Sequence, residues 1–151
     1  MPTTWIVVAD SSAARVFDAP SPTGRLSEVA AYAHSESRLH ERDLRSDQPG
    51  TTKDRAGYAT HGIEPRTSPK EHEAIVFARM LAETIERART TSQIERLLLV
   101  APPEFLGHLR AAMSASARKL VASEFTLNVV RMAPDEIRRH LPEKLYSSLA
   151  K

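Results

Sequence analysis

At 151 residues, with 41% hydrophobic and 26% charged side chains, the chain has the size and composition of one folded globular domain, and not of a disordered or fibrous protein. The absence of cysteine excludes disulfide staples, thiolate metal sites and a cysteine nucleophile. The 21 Lys and Arg nearly cancel the 19 Asp and Glu, so neither the net charge of +2 nor the pI of about 9.1 by itself points to nucleic acid.

The chain starts Met1-Pro2-Thr3-Thr4 and continues with a short apolar run. That start has neither the cationic beginning nor the apolar length of a signal peptide or membrane span, so a cytoplasmic location without membrane insertion is expected. Residues 5–9 (Trp-Ile-Val-Val-Ala) and 14–19 are β-rich runs on either side of the polar turn Asp10-Ser11-Ser12. After the turn-rich stretch Pro20 to Gly24, Leu26 to His34 supplies a third run, which predicts a three-strand antiparallel meander.

From about residue 35 to 68 the periodicity is lost among charged residues, with Pro49-Gly50, Gly57, Gly62 and Pro65 interrupting it. Loops of this length inside a small domain are usually functional or mobile, and this one is the expected working surface. Ser68-Pro69-Lys70-Glu71 then reads as a helix start, with Ser as cap, Pro at the first position and Glu as the partner of a capping box. Ile75, Ala78, Leu81, Ala82, Ile85 and Ala88 share one face of that helix, which should end near Arg89 or Thr90.

Leu97 to Ala101 is continuously apolar, as in a central strand covered on both faces, and Pro102-Pro103-Glu104 opens a second helix that buries Phe105, Leu106, Leu109 and Met113. Phe125 to Val130 is expected as a further strand, Pro134-Asp135-Glu136 as the start of a short helix, and Pro142-Glu143 as the start of a last one. The order βββ-α-β-α-β-α predicts an α/β fold: a mixed five-stranded sheet with helices on its faces, the arrangement of ribonuclease-H-like domains, in a single domain over residues 1–151.

Chemistry is sparse. The five glycines form neither a P-loop nor a dinucleotide fingerprint, so no nucleotide cofactor is expected. No Gly-x-Ser-x-Gly elbow is present. Asp10 closes the first strand where a two-metal nuclease would carry a carboxylate, but companions are missing, and a turn residue accepting backbone hydrogen bonds is the better reading. The six histidines show no metal-ligand spacing, so neither a catalytic set nor a metal site is expected.

Two surfaces remain as candidates. In the long loop, Arg38, Asp43, Asp47, Gly50 and His61 are the residues chosen for binding, among charges of both signs that nearly cancel. On the second helix, His108, Arg110, Arg118 and Lys119 have no acid between Glu104 and Glu124 and form a candidate basic face for RNA or a protein partner.

Four stretches carry a family resemblance: WIVVADSSAARVF at 5–17, SRLHERDLRSDQPG at 37–50, FARMLAETI at 77–85 and LLLVAPPEFLGHLR at 97–110. Together they resemble the bacterial host-attachment protein family, which implies a part in binding host cells. That family in turn resembles the central domain of archaeal and eukaryotic peptide-chain release factors, whose Gly-Gly-Gln motif lies on the loop equivalent to 35–68. This chain has Asp47-Gln48-Pro49-Gly50 there and no Gly-Gly-Gln, so peptidyl-tRNA hydrolysis is not implied. The resulting expectation is a non-enzymatic binding module that contributes to attachment indirectly through a protein partner. The alternative is a factor that contacts ribosome or tRNA without hydrolysis, and a third reading is a metal-dependent hydrolase using Asp43 and Asp47.

Overall fold

In the computed structural model, which describes residues 3–34 and 68–147, β1 (Thr4–Ala9), β2 (Ala13–Asp18) and β3 (Ser27–Ala33) form the expected antiparallel meander. Helix α1 (Pro69–Thr90) carries the chain to β4 (Arg96–Val100), which lies parallel to β1, with Leu98 beside Ile6 and Val100 beside Val8. Helices α2 (Pro103–Ala112) and α3 (Ala115–Lys119) lead to β5 (Val121–Phe125), parallel to β4, and α4 (Pro134–Arg139) follows. The strand order is β3-β2-β1-β4-β5, an α/β fold with a mixed five-stranded sheet and four helices among the described residues.

Strand alternation divides the interior into two cores. Val7, Ala9, Val16, Leu97 and Leu99 face α1, α2 and α3, where they meet Phe77, Leu81, Ile85, Phe105 and Leu109. Ile6, Val8, Phe17, Leu98 and Val100 face the other way, onto Val129, Val130, Ile137, Leu141 and Leu145. With both faces covered, β1 and β4 have no solvated side to mark with polar residues, which is why they read as continuous apolar runs. The C-terminal layer contains little regular structure. Its anchoring side chains, each contributing about 1.5–3 kcal/mol on full burial, compensate for the hydrogen-bond ladder it lacks.

Helix α1 obeys its sequence signals: Ser68 Oγ accepts the Glu71 N–H at 3.0 Å, and Pro69 occupies the first turn. The face named from periodicity is buried from Ala78 to Ala88, while Ile75 is only half-buried and Ala74 and Phe77 complete the stripe.

Three expectations need correction. The last strand is residues 121–125, not 125–130: Leu127, Val129 and Val130 instead pack into the second core as the chain leaves the sheet. The second helix stops at Ala112, because Ser114 takes the Ala117 N–H at 3.0 Å and caps a separate short helix. No helix starts at Pro142. The Pro142 and Glu143 carbonyls accept from the Arg138 guanidinium at 2.8 and 2.7 Å, and the Leu145 N–H donates to the Pro22 carbonyl, so these groups are committed to tertiary bonds.

Both edge strands are bulged. Val29 has no partner in the β2–β3 register and Ala122 none in the β4–β5 register. Bulges at sheet edges discourage indiscriminate pairing with other chains.

Candidate functional site

The sheet places a cleft where β1 and β4 end side by side, the usual position for ligand sites in open α/β sheets. It has a volume of about 470 Å³ and opens to solvent. The β1–β2 turn contributes Asp10 and Ser11, the start of α1 contributes Ser68, Lys70, Glu71 and Ala74, the start of α2 contributes Pro102, Glu104, Phe105 and His108, and Asn128 closes the remaining side. The floor is partly apolar, through Ala74 and Phe105, and polar groups of both signs ring the mouth. Such a mixture suits binding with orientation.

Asp10 is committed to its turn, as expected. Its Oδ1 accepts the Ser12 and Ala13 N–H groups, both at 2.9 Å, and the Ser12 hydroxyl at 3.2 Å. Oδ2 lies 3.8 Å from the Arg131 guanidinium. A carboxylate held this way shapes the cleft wall. Among the described residues no three His, Asp or Glu side chains are placed to hold a metal ion together.

His108 faces the cleft, with Nε2 4.0 Å from Glu71 Oε2. Arg110 does not. Two residues apart on a helix means about 200° around the axis, so Arg110 points to the opposite side and its Nε donates to both oxygens of Glu124, at 3.2 and 3.1 Å. Arg118 and Lys119 belong to α3, where Arg118 Nη1 donates to the carbonyls of Met113 (2.9 Å) and Arg110 (3.3 Å). The expected single basic face of His108, Arg110, Arg118 and Lys119 therefore does not exist. The acids absent from the local sequence arrive from β5 and α1.

Of the loop residues, Arg38, Asp43, Asp47, Gly50 and His61 lie outside the described residues. The two ends of that segment are described, and both meet the fold beside the cleft. The His34 N–H donates to the Ser12 carbonyl at 3.0 Å, in the turn that Asp10 organises, and Ser68 lines the cleft itself.

Sequence reasoning missed the role of His34. The side chain is 9% exposed, its Nε2 lies 2.9 Å from Glu73 Oε1, and its ring stacks on Phe77 with centroids 5.1 Å apart. The available signal was a histidine closing a strand with an acid one turn into the next helix, but nothing local shows that the two meet.

Charged pairs elsewhere are structural. Glu28 is held below the usual carboxylate range by the Arg15 guanidinium that hydrogen-bonds it across β2 and β3. Glu86 is lowered in the same way, first by Arg89 and then by the Ser114 hydroxyl. No described helix is long and apolar enough to cross a membrane.

Comparison with known proteins adds what the cleft alone does not supply. An uncharacterized protein of Rickettsia prowazekii is 30% identical over 79 residues, covering 51% of this chain and 53% of the relative, so the match spans about half the relative's length. The family model described as "Protein required for attachment to host cells" matches residues 5–141, taking in the described sheet except Thr4 and the cleft at its end. By a match of that extent, the chain belongs to the family of proteins required for attachment to host cells.

Proposed function

We propose that the protein is a non-enzymatic binding module that serves bacterial attachment to host cells indirectly, by holding a protein partner through the cleft and through residues 35–67. The observation carrying this reading is that the described residues flanking the segment with Arg38, Asp43, Asp47, Gly50 and His61 stand near the cleft: Ser68 lines it, and the His34 N–H donates to the Ser12 carbonyl in the turn whose Asp10 and Ser11 line it. Asp10 supports binding over hydrolysis, because it spends its Oδ1 on its own turn.

The strand order β3-β2-β1-β4-β5, with its antiparallel first three strands and parallel last pair, supports a single domain of the ribonuclease-H-like and release-factor central-domain kind. The translation-associated reading draws less from the site, since Arg110 is paired with Glu124 and the basic residues divide between two sides of the molecule.

The test compares the intact chain with two variants: one with residues 40–62 replaced by a Gly-Ser linker, the other carrying His108→Ala and Asn128→Arg in the cleft. Adherence of bacteria producing each form to cultured host cells is measured, alongside capture from native lysate with and without ribonuclease. Both variants should lower adherence several-fold and lose a ribonuclease-insensitive protein partner. Unchanged adherence with both variants sinks the reading. Loop-dependent capture of ribosomes or tRNA that ribonuclease abolishes would replace it with the translation-associated one.

A further inference from the structure

A second surface, on the far side of α2 from the cleft, has a different chemistry. We propose that the outer edge of β5, with the guanidinium groups of Arg110 and Arg118, is a docking site for an extended peptide segment carrying an acidic side chain.

Three observations meet there. First, β5 ends the sheet among the described residues, so no described strand pairs with its outer side, and its residues alternate between half-buried and exposed. Beyond the bulge at Ala122, Ser123–Phe125 keep regular pairing to β4, so the backbone presented outward is extended. Second, an open concavity of about 430 Å³ runs along this edge, lined by Val121–Glu124 and by Arg110 and Arg118. Third, each guanidinium is anchored through one nitrogen and keeps the rest free. Arg110 uses Nε on Glu124, and Arg118 uses Nη1 on the Met113 and Arg110 carbonyls. The remaining N–H groups of both have no partner among the described residues. Side chains fixed in this way have already lost most of their rotamer freedom, so an incoming carboxylate is bound without that cost.

Charge selects the occupant. Arg110 and Arg118 line this concavity with a single carboxylate, Glu124, so the edge repels a second copy of itself and attracts an acidic strand. The backbone edge selects further, because strand addition rewards a peptide and offers a nucleic acid nothing. A short, bulged edge makes few ladder bonds, and the paired guanidiniums supply the affinity that those bonds lack.

The test uses the full chain, ¹⁵N-labelled, and an acetylated, amidated heptapeptide of alternating threonine and valine with a central glutamate. Titration should shift the amides of residues 121–125 and the Arg110 and Arg118 side-chain signals. Replacing the glutamate by glutamine should weaken binding at least about tenfold, the loss of one charge-assisted pair. Arg110→Gln, at a side chain 47% exposed, should do the same without unfolding the protein. Arg118→Lys keeps the charge but not the fork, and should weaken binding by a smaller factor. No shifts at about 1 mM peptide, or equal binding of the glutamate and glutamine peptides, overturns the proposal. So does a single-stranded RNA oligonucleotide that saturates the same residues and is not displaced by the peptide.

Discussion

The His34 imidazole and the Glu73 carboxylate, 39 residues apart in sequence, meet at 2.9 Å and join the end of β3 to the second turn of α1. Phe77 stacks beneath the ring, so the contact combines a hydrogen bond with aromatic burial. It ties the end of the meander to the start of the first helix. His34→Ala removes both contributions and should cost about 2–3 kcal/mol, read as a lower urea midpoint at unchanged slope. Glu73→Gln, which keeps an acceptor, should cost about 1 kcal/mol or less. Equal losses for the two would show that the ring stacking contributes nothing.

Arg15 ties three parts of the chain together, donating to Glu28 on β3 and to the Val130 and Met132 carbonyls of the C-terminal layer. Arg15→Ala leaves two carbonyls short of a donor and should cost about 2 kcal/mol. The Glu28 share alone is smaller, below about 1 kcal/mol for a partly exposed pair. Because Arg15 holds the Glu28 pKa below its ordinary 4.5, this share is fully present above that value and is lost as pH falls through the lowered one. Glu28→Gln should therefore be less stable than the parent at pH 7 and indistinguishable from it near pH 2 in parallel denaturant titrations. A difference that persists in acid would assign it to packing.

The meander, the start and length of α1, and the central strand were legible in the sequence because each rests on local signals: a Ser-Pro cap, a 3.6-residue stripe and an unbroken apolar run. The errors fall where tertiary structure overrides local preference. Leu127, Val129 and Val130 resemble a strand because they pack into the second core, but they do so beneath the sheet, whereas Val121–Phe125 is interrupted by Ser123 and Glu124 because it is an edge. Of the site, the turn role of Asp10 was readable from Asp-Ser-Ser, while the cleft depends on β1 and β4 ending side by side, which no local pattern states. The basic face failed on helix geometry and on Glu124, an acid 14 residues away in sequence.

Arg138 is the strap of the C-terminal layer. Its guanidinium serves the Gly24 carbonyl at 2.9 Å as well as those of Pro142 and Glu143, joining the turn after β2 to the stretch that follows α4. Arg138→Met keeps much of the stem's packing but none of these bonds, and should cost about 2–3 kcal/mol. Amide exchange should accelerate most around Leu141 and Leu145, with the β1–β4 ladder last to respond. Uniform acceleration across the sheet would show instead that the layer and the sheet unfold as one unit.

Gly107 stands in the interior of α2, one residue before His108, at negative φ and with nothing within 4 Å of where a Cβ would lie. No turn, close approach or left-handed backbone requires glycine there. Gly107→Ala should therefore stabilise the protein by about 0.5–1 kcal/mol, through the lower entropy of the unfolded chain and the better helix propensity of alanine. For a domain of this size the gain appears as a rise of about 1–4 °C in Tm. A methyl that meets no neighbour leaves the cleft unchanged, so partner capture should match the parent's once both are folded. If Gly107→Ala raises Tm but abolishes capture, the partner approaches α2 closely enough to exclude a methyl, and the binding surface extends from the cleft mouth onto the helix.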